Sequence, residues 1–459
     1  MASLDIALLT GRSSLLMQQT KLATTANNIA NADTVGYHRQ TVTGTSAPAV
    51  TTATSWTGTG VRIENVTRAY DEALERNLRE MNRQDGYYQT YAGQIEMVEG
   101  VLAPQGESTL AAAMAEFAAS LSALDASPAS TAVRATVIAR GSALVGEINS
   151  TRGNLVKLQQ SIVGPTGRGE LADTVGQANQ LASRIASLNQ QIVAAEQRTF
   201  NPQQANDLRD QREALAGELS RLVDMSVTEE ADGSLTIDID GTPLVAGAAA
   251  GSLAVQTTPA GAAVVWKDTG MAVPQDGGAI QGLIDADAYV RSSIAAIDDF
   301  AAALAGTMNA QHAAGYDRLG IAGGDLFDAG TPGKVAFLVH DPSQFAASAV
   351  AGQTANSDNA RALHEALAGG LASLAGDNLL ERPDRIVDSV ALDAASARSL
   401  ADGTEAGIAM FETAISRASG VNLDEELMAM IEVQRAYQAA ARFVGVVDEL
   451  LATVVQLGN

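Results

Sequence analysis

The stretch "MIEVQRAYQAAARFVGVVDELLATV", Met430 to Val454, decides the fold class. Met430, Val433, Tyr437, Ala440, Val444, Val447, Leu451 and Val454 alternate spacings of three and four, which is the apolar a/d seam of a coiled-coil helix. "SGVNLDEE", Ser419 to Glu426, precedes it and puts acids in the first turn, where the helix dipole favours them. Ordering so long a segment costs more backbone entropy than one narrow seam recovers. The helix is therefore expected to be stable only when its seam meets another helix and its alanine flank (Ala436, Ala439, Ala440, Ala441) meets more protein. A helix pair within one chain and a building block of a larger assembly both meet that demand.

The opposite end carries a second, narrower stripe. Leu8, Leu15, Leu22 and Ile29 stand seven apart, flanked by Leu9, Leu16, Ala23 and Ala30, while Gly11, Gln18 and Thr25 fill the intervening heptad positions and keep the stripe narrow. This helix runs into "ATTANNIANADTVGYHRQ", Ala23 to Gln40, and breaks at Gly36-Tyr37. Asparagine costs a helix roughly 0.6 kcal/mol relative to alanine, and its amide prefers caps and turns. Asn27, Asn28 and Asn31 together need a reason beyond solubility.

Between the ends, four apolar faces read as helices: Leu74 to Leu102, stopped by Pro104-Gln105-Gly106; Leu110 to Leu124, ended near Pro128; Leu171 to Ile192; and Leu208 to Leu222, after Asn201-Pro202. The texture changes near Met225. "VTEEADGSLTIDIDGTPLV" and "SLAVQTTPAGAAVVWKD" read as short strands joined by Gly, Asp and Pro turns, as far as about Gly278. Helix returns from Ile280 to about His312, followed by a glycine-rich piece, Gly315 to Gly333, and a strand over Val335 to Val339. The fold class is mainly α with an inserted small β region, in an elongated multi-domain chain.

Composition narrows the functional classes. An aromatic content of 4% leaves cores of Ala, Leu, Val and Ile, which suits long, closely packed helices. A net charge of −24 offers no basic excess to track nucleic-acid phosphates or an anionic membrane. Without cysteine there are no disulfides, no Cys-based zinc sites and no thiol chemistry. The N-terminus lacks a basic n-region, and no window approaches the ~18 apolar residues of a span. The chain is expected to be cytoplasmic or exported by a route that ignores such signals.

Catalytic motifs are not apparent. His38, His312, His340 and His364 lie far apart with no pair at ligand spacing, so surface or singly bonded histidines are expected rather than a metal site. "TIDIDGTP" fails as a calcium loop, because aligning Gly241 leaves Thr236 at the first position and Gly247 where a bidentate Glu belongs; Asp238 and Asp240 are expected on the exposed face of a hairpin. "DAGTPGKV" lacks the first glycine and the final Ser/Thr of a P-loop, and no G-x-S-x-G occurs. No enzyme activity, cofactor, metal or small-molecule substrate is expected. A paired-carboxylate hydrolase stays open at this point, since spatial pairing of acids is invisible in a sequence.

"ANNIANADTVGYHRQ" resembles the N-terminal signature of bacterial flagellar axial proteins, the rod, hook and hook-associated subunits, and "SGVNLDEELMAMIEVQRAYQAAARFVGVVDELLATVVQL" resembles their C-terminal signature. "NPQQANDLRDQREALAGELSRLVDMSV" (201–227), "MNAQHAAGYDRLG" (308–320) with "GGDLF", and "NSDNARAL" (356–363) narrow the resemblance to the hook-associated subunits of the hook–filament junction. One departure is clear: between Phe327 and Ser357 lie only about thirty residues, where larger members carry an extended outer β domain.

The resemblance implies a structural subunit exported through the flagellar type III apparatus. It would form a ring of identical copies between hook and filament, outside the cell. Implied partners are further copies of itself, the hook protein, the second junction protein of the filament side, and a cytoplasmic export chaperone on the C-terminal helix. It further implies a terminal coiled-coil domain (1–66 with 405–459), a helical body (67–224 with 280–320 and 356–404) and a reduced β-rich outer domain (225–279 with 321–355). Asn27, Asn28 and Asn31 would be polar groups at the helix end and between subunits, or a local cap, and Gly36 would give backbone freedom for the outward turn before Tyr37. A hook or distal-rod subunit, and a cell-wall hydrolase on an axial scaffold, are the alternatives.

Overall fold

The computed structural model describes residues 2–51, 56–104, 109–164, 168–197, 205–258, 261–331 and 333–457. Helix α1 (Ala2–Ala30) leads into an antiparallel ribbon: β1 (Gln40–Ser46), β2 (Val50–Thr51), β3 (Trp56–Thr57) and β4 (Val61–Arg68), with β1 on β4 and β2 on β3. Five helices follow: α2 (Glu72–Leu102), α3 (Leu110–Ala126), α4 (Thr131–Ile162), α5 (Glu170–Gln197) and α6 (Asn206–Leu222). Strands β5 (Ser226–Glu229), β6 (Leu235–Ile239), β7 (Thr242–Ala246) and β8 (Ala249–Ala250) form one sheet in that order, and β9 (Leu253–Thr258) pairs with β10 (Gly261–Trp266). Then come α7 (Gly278–Ala313), the pair β11 (Phe327–Asp328) and β12 (Ala336–Phe337), α8 (Asp358–Leu367), α9 (Arg382–Ser419) and α10 (Leu423–Leu457).

Local chemistry sets these boundaries. Asp71 accepts from the Ala73 and Leu74 amides, Thr109 from Ala112 and Ser130 from Val133, capping α2, α3 and α4. Asp240 and Gly241, both at positive φ, make the two-residue turn between β6 and β7. The β region is stitched to α5 by two asparagines. Asn179 exchanges bonds with the Leu253 backbone, and buried Asn189 bonds Leu235 and Gly247.

In the body, α2 packs along α7 and α9, α3 against α4, and α5 against α6, around one core that includes Ile95, Met114, Phe117, Leu144, Ile148 and Phe300, all fully buried. Close crossings need missing side chains. A Cβ on Gly86 of α2 would land on the Arg221 carbonyl oxygen at the end of α6, and one on Gly282 of α7 would meet the Tyr87 carbonyl. Gly86→Ala is therefore expected to push α2 off α6 and lower stability by about 1–3 kcal/mol, read by denaturant unfolding.

The structure adds to the elements expected above. Helices α4, α8 and α9 and the β1–β4 ribbon are additional, although Val137, Leu144, Ile148, Leu155 and Ile162 of α4 do stand at helical spacing, and the strand expected over Val335 to Val339 is only the two residues of β12. Asp240 is exposed as expected, whereas Asp238 is half-buried. Position 404/405, given above as a boundary between domains, falls inside α9, which runs unbroken to Ser419. Gln105-Gly106 and Asn201-Pro202 lie outside the described residues.

Candidate assembly site

Helices α1 and α10 pack on each other along their length. On α10 the seam faces inward: Val433 and Val447 are buried, and Met430, Tyr437, Ala440, Val444 and Leu451 are half-buried, while Val454 at its end is exposed. Leu8, Leu15, Leu22 and Ile29 are half-buried on α1, and Met17 is buried. The small residues of the α1 stripe are points of contact rather than gaps. Gly11 and Thr25 are buried, and a Cβ on Gly11 would sit 2.6 Å from Val444 Cγ2 and 3.1 Å from the Phe443 ring. Among the described residues two side-chain hydrogen bonds cross the pair, Gln19 Nε2 to the Tyr437 hydroxyl at 3.4 Å and, at its end, Asn28 Nδ2 to Glu426 Oε2 at 3.1 Å.

Much apolar surface stays open on this pair. Leu9 and Leu16 on α1, and Leu427, Met428, Ile431, Phe443, Val446, Leu450 and Val455 on α10, are all exposed, and so are Ala439 and Ala441 of the alanine flank. Two helices that share one seam are marginal alone, and open apolar surface on this scale makes the pair the candidate contact surface of the chain.

Where the pair meets the body, the chain builds a polar socket. Asn28, 1% exposed, donates to the Gln40 carbonyl (3.0 Å) and to Glu426 Oε2 (3.1 Å), and accepts from the Gln40 amide (3.0 Å) and the Tyr37 hydroxyl (2.9 Å). Asn31 donates to Asn27 Oδ1, and Asn27 donates to the Tyr37 hydroxyl. Asn28 ties the end of α1 to the start of α10 and of β1. Arg39 bonds Glu426 (2.6 Å) through its side chain and the Ser419 carbonyl (2.8 Å) through its amide, so the end of α9 joins the same knot. Gly36, at φ +77°, makes the turn that brings Tyr37 and His38 back into it.

His38 is the peg that enters the body. Its Nδ1 lies 2.9 Å from Asp210 of α6, its Nε2 lies 3.2 Å from Glu75 of α2, and its amide donates to Asp210. Burial works against a charged ring, but the hydrogen bonds to Asp210 and Glu75 outweigh it and hold the pKa up at about 9, with Arg68 opposing. Asp210 also accepts from Arg68 (2.8 Å), whose guanidinium lies 4.2 Å over the Tyr70 ring. Tyr37 is held protonated, chiefly by burial and then by Asp207, Asp210 and Glu426. The lone-histidine expectation thus fails at two positions. His38 and His312 are buried and use both ring nitrogens, whereas His340 is exposed and His364 makes one bond, to the Ala118 carbonyl.

Because folding favours protonated His38, its contribution is whole below the unfolded value near 6.5 and is lost as pH rises through about 9. The wild type is expected to lose on the order of 2–3 kcal/mol between about pH 6 and pH 10 that His38→Gln does not lose, by denaturant unfolding at each pH.

Beside the socket lies an open cleft of about 740 Å³ between the 32–38 loop, α2, α6 and the α9–α10 turn. Two of its carboxylates are already engaged with cations: Glu75 with His38, and Glu213 with Arg79. Among the described residues no group of three His, Asp or Glu side chains is placed to hold a metal ion, and no helix is long and apolar enough to cross a membrane.

The sequence model for flagella basal body rod proteins matches residues 8–38, and that for the C-terminal region of basal body rod FlgEFG proteins matches 415–457. The model for the helical domain of flagellar hook-associated protein FlgK matches residues 95–327, and the chain belongs to that family. It is 29% identical to flagellar hook-associated protein 1 of Bacillus subtilis, over 99% of this chain and 98% of the relative. It is 30% identical to the protein of that name from Salmonella typhimurium, and likewise from Escherichia coli, over 70% of this chain, spanning 59% of those longer relatives. The flagellar hook junction protein FlgK of Burkholderia pseudomallei shares the fold, with a TM-score of 0.65 over 74% of this chain and all of that one, at 15% identity.

Proposed function

We propose that the chain is a non-enzymatic structural subunit of the hook–filament junction, forming a ring of identical copies outside the cell that adapts the hook to the filament. The open apolar surface on the α1–α10 pair carries this reading, because only further protein removes Leu9, Leu16, Ile431 and Val446 from water. Contacts around such a ring are heterologous, so closure depends on the rotation from one copy to the next. The relatives' names supply the place, and the neighbours are then the hook protein on one side and the second junction protein on the other. Export runs through the flagellar type III apparatus, with a chaperone covering α10 beforehand. In this reading the terminal pair with the socket is the inner domain, α2 to α9 form the body, and β5–β10 with residues 321–355 form a reduced outer domain. Asn28 and Tyr37 knot the end of α1 to β1 and α10, His38 and Arg39 tie that knot to the body, and the α1 and α10 surfaces face neighbouring copies.

A tagged copy imaged on intact flagella is expected as a single spot between hook and filament. Signal along the whole hook, or homopolymers of many turns grown from purified protein, contradicts this and favours a hook or distal-rod subunit.

A further inference from the structure

Three separated stretches, "MNAQHAAGYDRLG", "GGDLF" and "NSDNARAL", converge on the C-terminal end of α7. Asn309 accepts from the Leu326 and Phe327 amides (2.8 and 2.9 Å) and donates to the Phe327 carbonyl (2.8 Å). Gln311 donates to Asn359 (2.8 Å), which donates in turn to the Ala346 carbonyl (2.6 Å). His312, fully buried, sits at the centre of this node. The Ala346 amide donates to its Nε2 at 2.8 Å, so Nε2 carries no proton, and Nδ1–H donates to the Gly324 carbonyl at 2.6 Å. The Ala346 bond requires the neutral ring, and the two bonds together fix one tautomer. The Phe345 ring packs against its edge, 5.1 Å between centroids, and Gly323 leaves no room for a side chain beside Nδ1.

We infer that His312 is an acid-sensitive latch: protonating its Nε2 expels the Ala346 amide and loosens the segment around residues 341–349 from the end of α7. A second proton on the ring finds the Ala346 N–H, a donor, where an acceptor is needed. Asp317 and Asp325 favour the charged ring, but the Asp317 Oδ1 is occupied by the Leu319 and Ile321 amides. Arg134 of α4 donates to the Phe345 carbonyl from the other side, and Arg318 is tied to Thr131. Burial is the largest influence and lowers the pKa below the ordinary histidine value. The sign is opposite to that of His38. Folding favours neutral His312, so its contribution is whole above the unfolded value near 6.5 and drains away as pH falls below it.

The test is amide exchange of the full chain, followed by mass spectrometry at pH 7.5 and pH 5.5 and corrected for intrinsic rates. Uptake of one proton by the opened segment below pH 6.5 is expected to lower protection of the 341–349 segment relative to α2, by at most about tenfold per pH unit. His312→Gln places a neutral acceptor and donor at similar reach and is expected to abolish that pH dependence. Equal protection at both pH values in the wild type, or the same loss in His312→Gln, overturns the latch. Should His312→Gln not fold, the wild-type ring is followed by nitrogen NMR. A Nδ1–H tautomer that charges only together with the loss of protection supports the latch. A ring that titrates in the ordinary range with protection unchanged sinks it.

Discussion

Gly11→Leu is expected to prise α1 from α10 and to abolish incorporation into the flagellum, while the body unfolds as in the wild type. The Cβ position already lies inside contact distance of Val444 Cγ2 and touches Phe443, and Val444 is β-branched with little freedom to turn aside. A leucine there acts as a wedge. Its damage stays local, because α2 to α9 make their core without either terminal helix. Amide exchange across residues 2–30 and 423–457 should quicken, and flagella isolated from cells carrying the variant should lack the subunit. Adding Val444→Ala reopens space opposite residue 11 and is expected to restore part of both. Normal incorporation of the single variant would show that this pairing is not what the assembly needs.

The second large effect lies in the socket. Asp210→Ala is expected to cost about 3–5 kcal/mol, because it leaves the His38 imidazolium and the Arg68 guanidinium buried together with one acceptor gone. Glu75 then remains as the only carboxylate on the histidine. The penalty should shrink as pH rises and His38 sheds its proton, so the difference from wild type at pH 6 should exceed that at pH 9. Denaturant unfolding at the two pH values measures this. A cost below 1 kcal/mol at both values contradicts a charged, buried His38.

What the sequence conceals follows from what buries each element. The termini and α2, α3, α5, α6 and α7 use leucine, isoleucine and valine on their packed faces, and such residues stand out at helical spacing. Helix α9 does not, because much of its inner face is Ala394, Ala397, Ala401 and Thr404, while Leu392, Leu400 and Met410 point to water. In α4 the buried face opens on Arg134, whose guanidinium is spent on the carbonyls of Pro128 and Phe345, but Val137, Leu144, Ile148, Leu155 and Ile162 continue it at helical spacing and make that helix legible after all. Strand β1, "QTVTGTS", is polar enough to read as a linker.

The asparagines announced a special helix end, yet their partner Glu426 lies 398 residues from Asn28, and the two carboxylates on His38 come from separate helices. No spacing rule joins such groups. Gly11 was legible as a residue but not as a contact, since a hydrophobic count scores a missing side chain as a weakness.

Adjacent residues on α10 give the sharpest test of the account, because the chain has no cysteine of its own. Val446 is 55% exposed and Val447 is 4% exposed in the single subunit. With Val446→Cys and Val447→Cys, maleimide labelling of the free protein should be fast at 446 and slow at 447. In intact flagella position 446 should become as slow as 447, its surface having been covered by neighbouring copies. Labelling at 446 that stays as fast in flagella as in free protein would contradict the claim that these helices exist to be packed among their own kind.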